Sequence, residues 1–536
     1  MLLPIPAVLL LLAATALVTA AAATTDCVDP RIVLHPSFNG FFPDRFRIRS
    51  TLQQDQGNDH IEFAQGFSVT YHTTHKIVTN LIVNETYLLY PCGFNEDNAT
   101  ATAAAGSKIF RIPLGRVDVP QTTDAAFMEL LGVLDRVGAS NPYSTVPCMQ
   151  SLYECRQQGL SDAQFTWGSN ASDPKSIAVT SSADPGALNR AEWIKFVALF
   201  FNKDAEANEI FDGIVSRYND IKQRVATETI PPARHQVVAW LQWTDYAPPE
   251  FGGQAAVKLV YSAYRRELSE DAGGVALSPA HPVVQSMVVS GVLAEDPWGS
   301  EQVWVRPGDT ETLVTLLGLV DVVIDEAAYF TDWSRTKGFQ NHEIGFEQFL
   351  NWYGLNVSNI ERTPVLRSGR VFRNDATSRS GSWTAWFGTA VARPDLVLTD
   401  LAAALFPTMP VGHPTFLRRV ANGNGVNVLS SLACPLTDCT IPFVPVCPPI
   451  HLSCSGDIVD NTTHCATRCP PPPLSPAATS PLSQEDEKGS TTPIYPIVIG
   501  AVIFGVLVVG AAATLATVYY RRKFPYKDEQ SPLSMM

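Results

Sequence analysis

Apolar and polar positions follow two periods along this chain. Phe67, Val69 and Tyr71 alternate with polar residues, His72 to His75 form a turn, and Ile77-Val78 and Tyr87 to Tyr90 resume the pattern. That alternation predicts strands over 61–92. Ile109–Val119 reads as a further strand, and Thr122, Thr123 and Asp124 can cap a helix carrying Phe127, Leu130, Leu131 and Leu134. Ser176–Ser181 is another short strand. Helical periodicity then runs from about Leu188 to Thr227. Within it Phe211, Ile214, Tyr218, Ile221 and Val225 recur at spacings of 3, 4, 3 and 4, one continuous apolar face. Asn202 divides the region into a shorter helix and one of about 25 residues, and Pro231-Pro232 ends it.

A second series follows. His235–Leu241 predicts a strand, Val257–Leu268 a helix stopped at Gly273-Gly274, and Leu313–Leu317 a helix. Val320–Ile324 is a wholly apolar strand, Phe346–Tyr353 a helix, Arg370–Phe372 a short strand, and Pro394–Leu405 the last helix. Two strand–helix sets joined by one long helix predict an α/β fold of two lobes with mostly parallel sheets. The expected boundaries are an irregular segment 27–60, a first lobe 61–187, a helical connector 188–228 and a second lobe 229–420.

The two ends carry different chemistry. Residues 1–23 hold a short apolar run followed by small residues (Val18, Thr19, Ala20, Ala21), which reads as a signal peptide. A first membrane helix is the alternative, and the run is short for it. Residues 494–520 contain no charge. At 1.5 Å per residue they reach about 40 Å, more than a bilayer core of about 30 Å. Tyr495, Tyr519 and Tyr520 fall at the two interfaces, and Arg521, Arg522 and Lys523 follow at once. The expectation is a single-pass type I plasma-membrane protein with an extracellular body and a cytoplasmic tail, 521–536. Residues 470–493, rich in Pro, Ser and Thr, read as a stalk.

Composition narrows the class. Of 536 residues, 46% are hydrophobic and 17% charged, which excludes a disordered chain. The net charge of −14 lacks the footprint of a nucleic-acid binder. An extracellular body predicts glycans at the sequons of Asn84, Asn98, Asn170, Asn356 and Asn461. It also predicts disulfides among ten cysteines. Cys27, Cys92, Cys148 and Cys155 lie early, and Cys434, Cys439, Cys447, Cys454, Cys465 and Cys469 crowd into a cysteine-rich module at 421–469. Zinc is the competing reading of that cluster, which lacks a C-x-x-C pair.

Eight stretches, in order, carry a resemblance. They are HIEFAQGFSVTYHTTHKIVTNL at 60–81, TTDAAFMELLGVLDRVGAS at 122–140, RAEWIKFVALFFNKDAEANEIF at 190–211 and VVAWLQWTDYAPPEF at 237–251. YRRELSEDAGG at 264–274, VDVVIDEAAYF at 320–330, RSGRVF at 367–372 and ARPDLVLTDLAAALFP at 392–407 complete the set. Over about 61–410 the chain resembles the helical-backbone (class III) substrate-binding proteins of iron–siderophore and cobalamin importers, here in a eukaryote-like membrane-anchored form. The closing helix departs from the family, ending in Phe406-Pro407 where a His-Pro pair is usual. The resemblance implies a non-enzymatic binder with no resident cofactor. Its cargo would be a metal chelate: a ferric siderophore first, cobalamin or haem next. A transport or endocytic partner stays open. The other reading is an adhesion or signalling receptor that keeps the bilobed scaffold without a small ligand, and a surface reductase or hydrolase is a third.

Ligands of bilobed binders sit at the carboxyl ends of strands, between the lobes. Five places qualify. Trp240, Trp243 and Tyr246 follow the strand that opens the second lobe and can cover the broad face of a chelate, with core burial as the alternative. Asp325, Glu326 and Tyr329 end an apolar strand as ligand contacts or as a helix cap. Arg190, Glu192 and Trp193 start the long helical region as contacts or as a solvated face. Thr122 and Thr123 offer hydroxyls at a helix start, for an anionic oxygen or for plain capping. Trp383 and Trp386, with Arg379, occupy a Gly/Ser-rich loop. No metal site is expected: His72 and His75 have ligand-like spacing but sit in a turn, and the other histidines are scattered. The sequence contains no H-E-x-x-H, G-x-S-x-G or Walker motif, and no G-x-G-x-x-G after a strand.

Overall fold

The computed structural model describes residues 27–49, 61–95, 97, 101–155, 161–228, 235–244, 248–251, 254–297, 299–326, 345–379, 384–409, 414–422, 425–429, 434, 448, 450–452 and 457–460. The expected signal peptide, stalk, membrane span and tail lie outside them, as do Asn98, Asn461, Cys439, Cys447, Cys454, Cys465 and Cys469. Among the described residues no helix is long and apolar enough to cross a membrane.

The first lobe holds two sheets. β1 (Phe67–Tyr71), β2 (Lys76–Asn80) and β3 (Glu85–Pro91) form an antiparallel meander, and β4 (Lys108–Ile112) joins β3 in parallel. Phe67 and Val69 turn inward and Ser68 and Thr70 outward, the alternation read from the sequence. β5 (Val117–Val119), β6 (Val137–Ser140), β7 (Ala163–Thr166) and β8 (Ser176–Ala178) form a wholly parallel sheet in the order β6-β5-β7-β8. Its crossovers carry α1 (Thr122–Leu130) and α2 (Pro147–Cys155). The single strand expected over Ile109–Val119 is therefore two strands in two sheets. Pro113, which has no N–H to donate, lies in the break.

Three helices lead out of the lobe: α3 (Ala187–Ala191), α4 (Trp193–Leu199) and α5 (Asp204–Glu228), the last 25 residues long as its periodicity predicts. Asn202, with φ 53°, makes the break before α5 in the left-handed region that asparagine tolerates. Phe211, Ile214, Tyr218, Ile221 and Val225 are all buried along one stripe of α5. Its start is pinned to the meander by a buried ion pair, Lys76 Nζ to Asp204 at 2.8 Å.

The second lobe is one mixed sheet centred on β9 (Gln236–Thr244). β10 (Ala256–Val260) pairs antiparallel to β9, and β11 (Gly274–Ala276) runs parallel to the start of β9. β12 (Leu293–Glu295) and β13 (Gln302–Val305) extend the antiparallel side, while β14 (Val322–Asp325) and β15 (Val371–Arg373) are parallel to β9. β16 (Thr377–Arg379) leaves the sheet, and β17 (Arg418–Arg419) closes its edge antiparallel to β15. Mostly parallel sheets were expected. The meander and this sheet correct that: short connections make β1, β2 and β3 and the β12–β13 pair antiparallel, while β10–β13 and β15–β17 pair antiparallel across long connections. The helix expected over Val257–Leu268 is β10 followed by α6 (Ala263–Asp271). Val257, Val260, Tyr264 and Leu268 are spaced like one helical face, but the first two belong to a strand held on both sides by β9 and β13.

Helices cover both faces of this sheet, so its central strands are apolar throughout. Val238 and Trp240 of β9, with Val322 and Ile324 of β14, face a core shared with the first lobe and α5. Ala239, Leu241, Val323 and Val371 face a second core. Onto the mixed sheet and its edges fold α7 (Pro282–Val289), α8 (Thr310–Leu317), α9 (Phe346–Trp352), α10 (Val357–Arg362), α11 (Pro364–Arg367), α12 (Thr389–Ala392) and α13 (Pro394–Leu405). α13 starts at the expected residue and ties to α5 through Arg217 and Asp395 at 2.7 Å.

The described part of 421–469 is fastened to this body. β18 (Asn427–Leu429) pairs in parallel with β16, and the hairpin of β19 (Ile450–Leu452) and β20 (Ile458–Asp460) places Ile450 in the large core. Among the described residues two disulfides are formed, Cys27–Cys92 and Cys148–Cys434. The sequon residues Asn84, Asn170 and Asn356 are exposed.

A buried carboxylate makes the fold pH-sensitive. Asp400 of α13 accepts the backbone N–H groups of Thr415, Phe416 and Leu417, and burial nevertheless pushes it up to about 6. The folded state then holds a proton that the unfolded chain releases near pH 3.8, so this residue's contribution falls as pH rises through that window. Asp400→Asn should flatten the change in urea midpoint between about pH 5 and about pH 7 relative to the parent. Equal pH slopes in the two proteins would show that Asp400 does not titrate there.

Candidate functional site

β9, β14 and β15 are parallel, so their carboxyl ends open on one edge of the mixed sheet. Successive side chains leave opposite faces there. Asp325 turns toward α9, where it accepts the Tyr353 hydroxyl at 2.6 Å and pairs with Arg373. Arg373 also donates to Asp375 at 2.9 Å, and Asp375 receives Arg418 through two nitrogens at 2.8 Å. All four charged groups are buried. Burial raises Asp325, with Arg373 opposing, and burial beside Asp325 holds the Tyr353 phenol far above its ordinary range, so Tyr353 is a neutral donor.

This network carries an aromatic wall. The Arg373 guanidinium lies 5.1 Å from the Trp352 ring centre, and Trp352 stacks on Trp243 with centroids 6.0 Å apart and planes 18° apart. Trp243 and Trp352, both half-buried, line an open cavity of about 310 Å³ together with Val257, Arg306, Asp309 and Thr310. Asp309 also caps α8, accepting the Thr312 N–H at 3.1 Å and the Thr312 hydroxyl at 2.7 Å.

Glu326 turns the other way. It is buried and takes Arg265 of α6 through both carboxylate oxygens, at 2.7 to 3.1 Å. The residue before Arg265 is Tyr264, and over its ring, 4.3 Å from the centre, lies the guanidinium of Arg190 from α3 of the first lobe. Arg190 Nε donates to the Asp184 carbonyl at 2.7 Å. Neither terminal amino group of Arg190 donates a hydrogen bond among the described residues. Burial lowers Arg190 to about 10, which leaves it cationic at neutral pH. A charge of this kind, between two lobes and with two unused donor groups, can receive an anionic oxygen.

The remaining expected residues serve the fold. Trp240 is wholly buried, donates Nε1 to Ser269 Oγ at 3.0 Å and packs on Trp386, itself buried. Trp193 is buried and donates Nε1 to Asp184 at 2.9 Å. Glu192 does not belong to a solvated face. It is fully buried, accepts the backbone N–H groups of Glu62, Phe63 and Ala64, and pairs with Lys195 at 2.7 Å. Thr122 and Thr123 do not cap α1; the cap position is Gln121, and the threonines form the first turn. The Thr123 hydroxyl instead donates to the Phe387 carbonyl at 2.9 Å, with Gly388 set against Thr122, so the second lobe covers this helix start. Tyr246, Tyr329 and Trp383 lie outside the described residues. His72 and His75 stack with ring centres 4.5 Å apart, and no group of three or more His, Cys, Asp or Glu side chains among the described residues is placed to hold a metal.

Sequence reasoning missed Trp352, Tyr353, Arg265 and Arg373. Arg373 follows the strand expected at Arg370–Phe372, so the rule that selected the other sites also selects it. Trp352 gives no such signal, because it ends a helix and meets Trp243 only in the folded chain.

No family model matches the sequence, and no curated protein matches it. The structure is similar to a periplasmic heme-binding protein from Pseudomonas aeruginosa, at 14% identity over 57% of this chain and 98% of that chain, with a TM-score of 0.37. It is also similar to an ABC-type Fe3+-hydroxamate transport protein from Saccharomonospora viridis, at 12% identity over 55% and 94%, TM-score 0.34. A third similar structure is a petrobactin-binding protein from Bacillus subtilis, at 12% identity over 55% and 92%, TM-score 0.36.

Proposed function

We propose that this chain is a non-catalytic binding protein that captures a metal chelate at a cell surface for uptake. A ferric siderophore is the first choice of cargo, with cobalamin or haem next. The observation that carries this reading is the stacked Trp243–Trp352 wall of an open cavity at the strand ends. Rigid aromatic faces cover a flat or macrocyclic guest at little entropic cost. At about 310 Å³ the cavity is at the small end for a ligand pocket, so it holds one arm or ring of such a guest. Arg190, reached on the other face of the sheet through Glu326, Arg265 and Tyr264, offers a second contact whose charge suits an anionic chelate. The resemblance of the eight ordered stretches supports the same cargo class, and the apolar runs at 1–23 and 494–520 support the surface location.

Titrating the protein with a ferric hydroxamate, haem and cobalamin tests this directly. Saturable tryptophan quenching is expected with at least one of them, beyond the inner-filter loss given by free tryptophan. Trp352→Ala should weaken that ligand by about tenfold or more, because the aromatic face that covers the guest is lost. No saturable quenching with any of the three would overturn the reading.

A second reading is favoured by one observation. Asp325, Glu326 and Thr123 are already bonded to the chain's own Arg373, Arg265 and Phe387. An interaction receptor that keeps the scaffold without a small ligand would have its polar contacts satisfied in this way.

A further inference from the structure

The two lobes are joined by backbone through α3 to α5, and a second covalent path exists. Cys148 sits in the first turn of α2, just past the carboxyl end of β6, on the edge of the parallel sheet where α1 also begins. Its partner Cys434 is 286 residues further on and is buried. The chain reaches Cys434 from β18, which is paired with β16, and β16 leaves the mixed sheet just beyond the carboxyl end of β15. Asn427 N–H donates to the Ala376 carbonyl at 2.8 Å, which holds this ribbon to the second lobe. The disulfide thus ties the carboxyl edge of one sheet to a strand pair rooted at the carboxyl edge of the other.

We infer that Cys148–Cys434 is an interlobe clasp that restricts opening of the binding edge and slows exchange of whatever lies there. With a Cα–Cα distance of 4.8 Å, the bond keeps the two edges from separating by rotation about α5. The lobes also share the large apolar core, and near this edge the polar contacts between them are few: Thr123 to Phe387, Ala187 N–H to Glu267 at 3.3 Å, and Arg190 on Tyr264. Cys27–Cys92 has no such role, because it joins the start of the described chain to the end of β3 within the first lobe. The effect on ligand exchange rests on the binding reading above; the mechanical effect does not.

Hydrogen–deuterium exchange on the full chain separates the two. In the double variant Cys148→Ser/Cys434→Ser, amides of 187–192, 263–267 and 384–392 should exchange about tenfold faster or more, while β3 and β9 keep their parent rates. Cys27→Ser/Cys92→Ser should leave the junction unchanged. Where the first double variant does not fold, the single variants Cys148→Ala and Cys434→Ala, which break the same bond with a smaller change, are compared with the parent instead. A bound ferric hydroxamate should leave the unclasped protein about tenfold faster or more. Junction rates within about twofold of the parent would overturn the clasp, and so would equal acceleration throughout the chain, which marks a staple of the whole fold. If no chelate binds, the proposed cargo fails and the exchange rates still decide the clasp.

Discussion

Asp375→Ala should cost about 3–5 kcal/mol of stability, the largest loss expected from any single side chain described above. Asp375 is wholly buried and sits between two buried guanidinium groups, Arg373 at 2.9 Å and Arg418 at 2.8 Å. Removing it leaves Arg418 without that carboxylate and leaves Arg373 with Asp325 as its remaining carboxylate partner. Breaking a buried charge pair by removing one member costs several kcal/mol, far more than a typical surface pair contributes. Asp325→Asn should cost less, because Arg373 keeps Asp375 and Tyr353 keeps an acceptor. Urea unfolding of the three proteins gives the order. If Asp375→Ala falls within about 1 kcal/mol of the parent, the network is solvated and the site behind Trp352 is softer than described. The loss should also appear in the cavity, since Arg373 lies against Trp352 and Trp352 carries the stack with Trp243.

The parts of this fold that were legible in sequence are those where one period runs unbroken. β1 alternates over Phe67–Tyr71, α5 repeats its apolar stripe over 25 residues, and α13 begins at Pro394, where proline suits a first helical turn. Legibility failed where one element hands over to another in register. Val257, Val260, Tyr264 and Leu268 imitate a helix across a strand–helix junction, and only the partners β9 and β13 reveal the strand. Sheet direction was misjudged for the same reason, since pairing is a property of neighbours and not of a segment.

At the site, the rule of looking past strand ends pointed to Trp243, Asp325, Glu326 and Arg190 as candidates. It could not separate binding from internal bonding. Glu192 shows why. A charged residue near a helix start is usually solvated, yet three backbone N–H groups and Lys195 compensate its burial here. Those donors come from residues about 130 positions earlier, which no local pattern announces. Trp352 and the Cys148–Cys434 pairing were hidden in the same way.

Arg190→Ala should weaken a carboxylate-bearing ferric chelate about ten- to a hundredfold, and should barely change a neutral trihydroxamate complex of the same size. A hydrogen bond to a charged group is worth about 1.5–3 kcal/mol, which spans that range. Arg190 is held by the Asp184 carbonyl and the face of Tyr264, so its unused amino groups are already positioned and little entropy is lost when they engage. Arg190 is partly buried, so screening is reduced and part of the discrimination should persist as salt is raised. Arg190→Lys keeps the charge but not the planar fork, and should recover only part of the affinity. The neutral chelate separates this role from a structural one. If Arg190 merely braces Asp184 against Tyr264, its loss distorts the junction and weakens both chelates alike. Equal losses for the anionic and neutral guests would therefore remove Arg190 from the binding edge and leave the tryptophan wall as its recognition element.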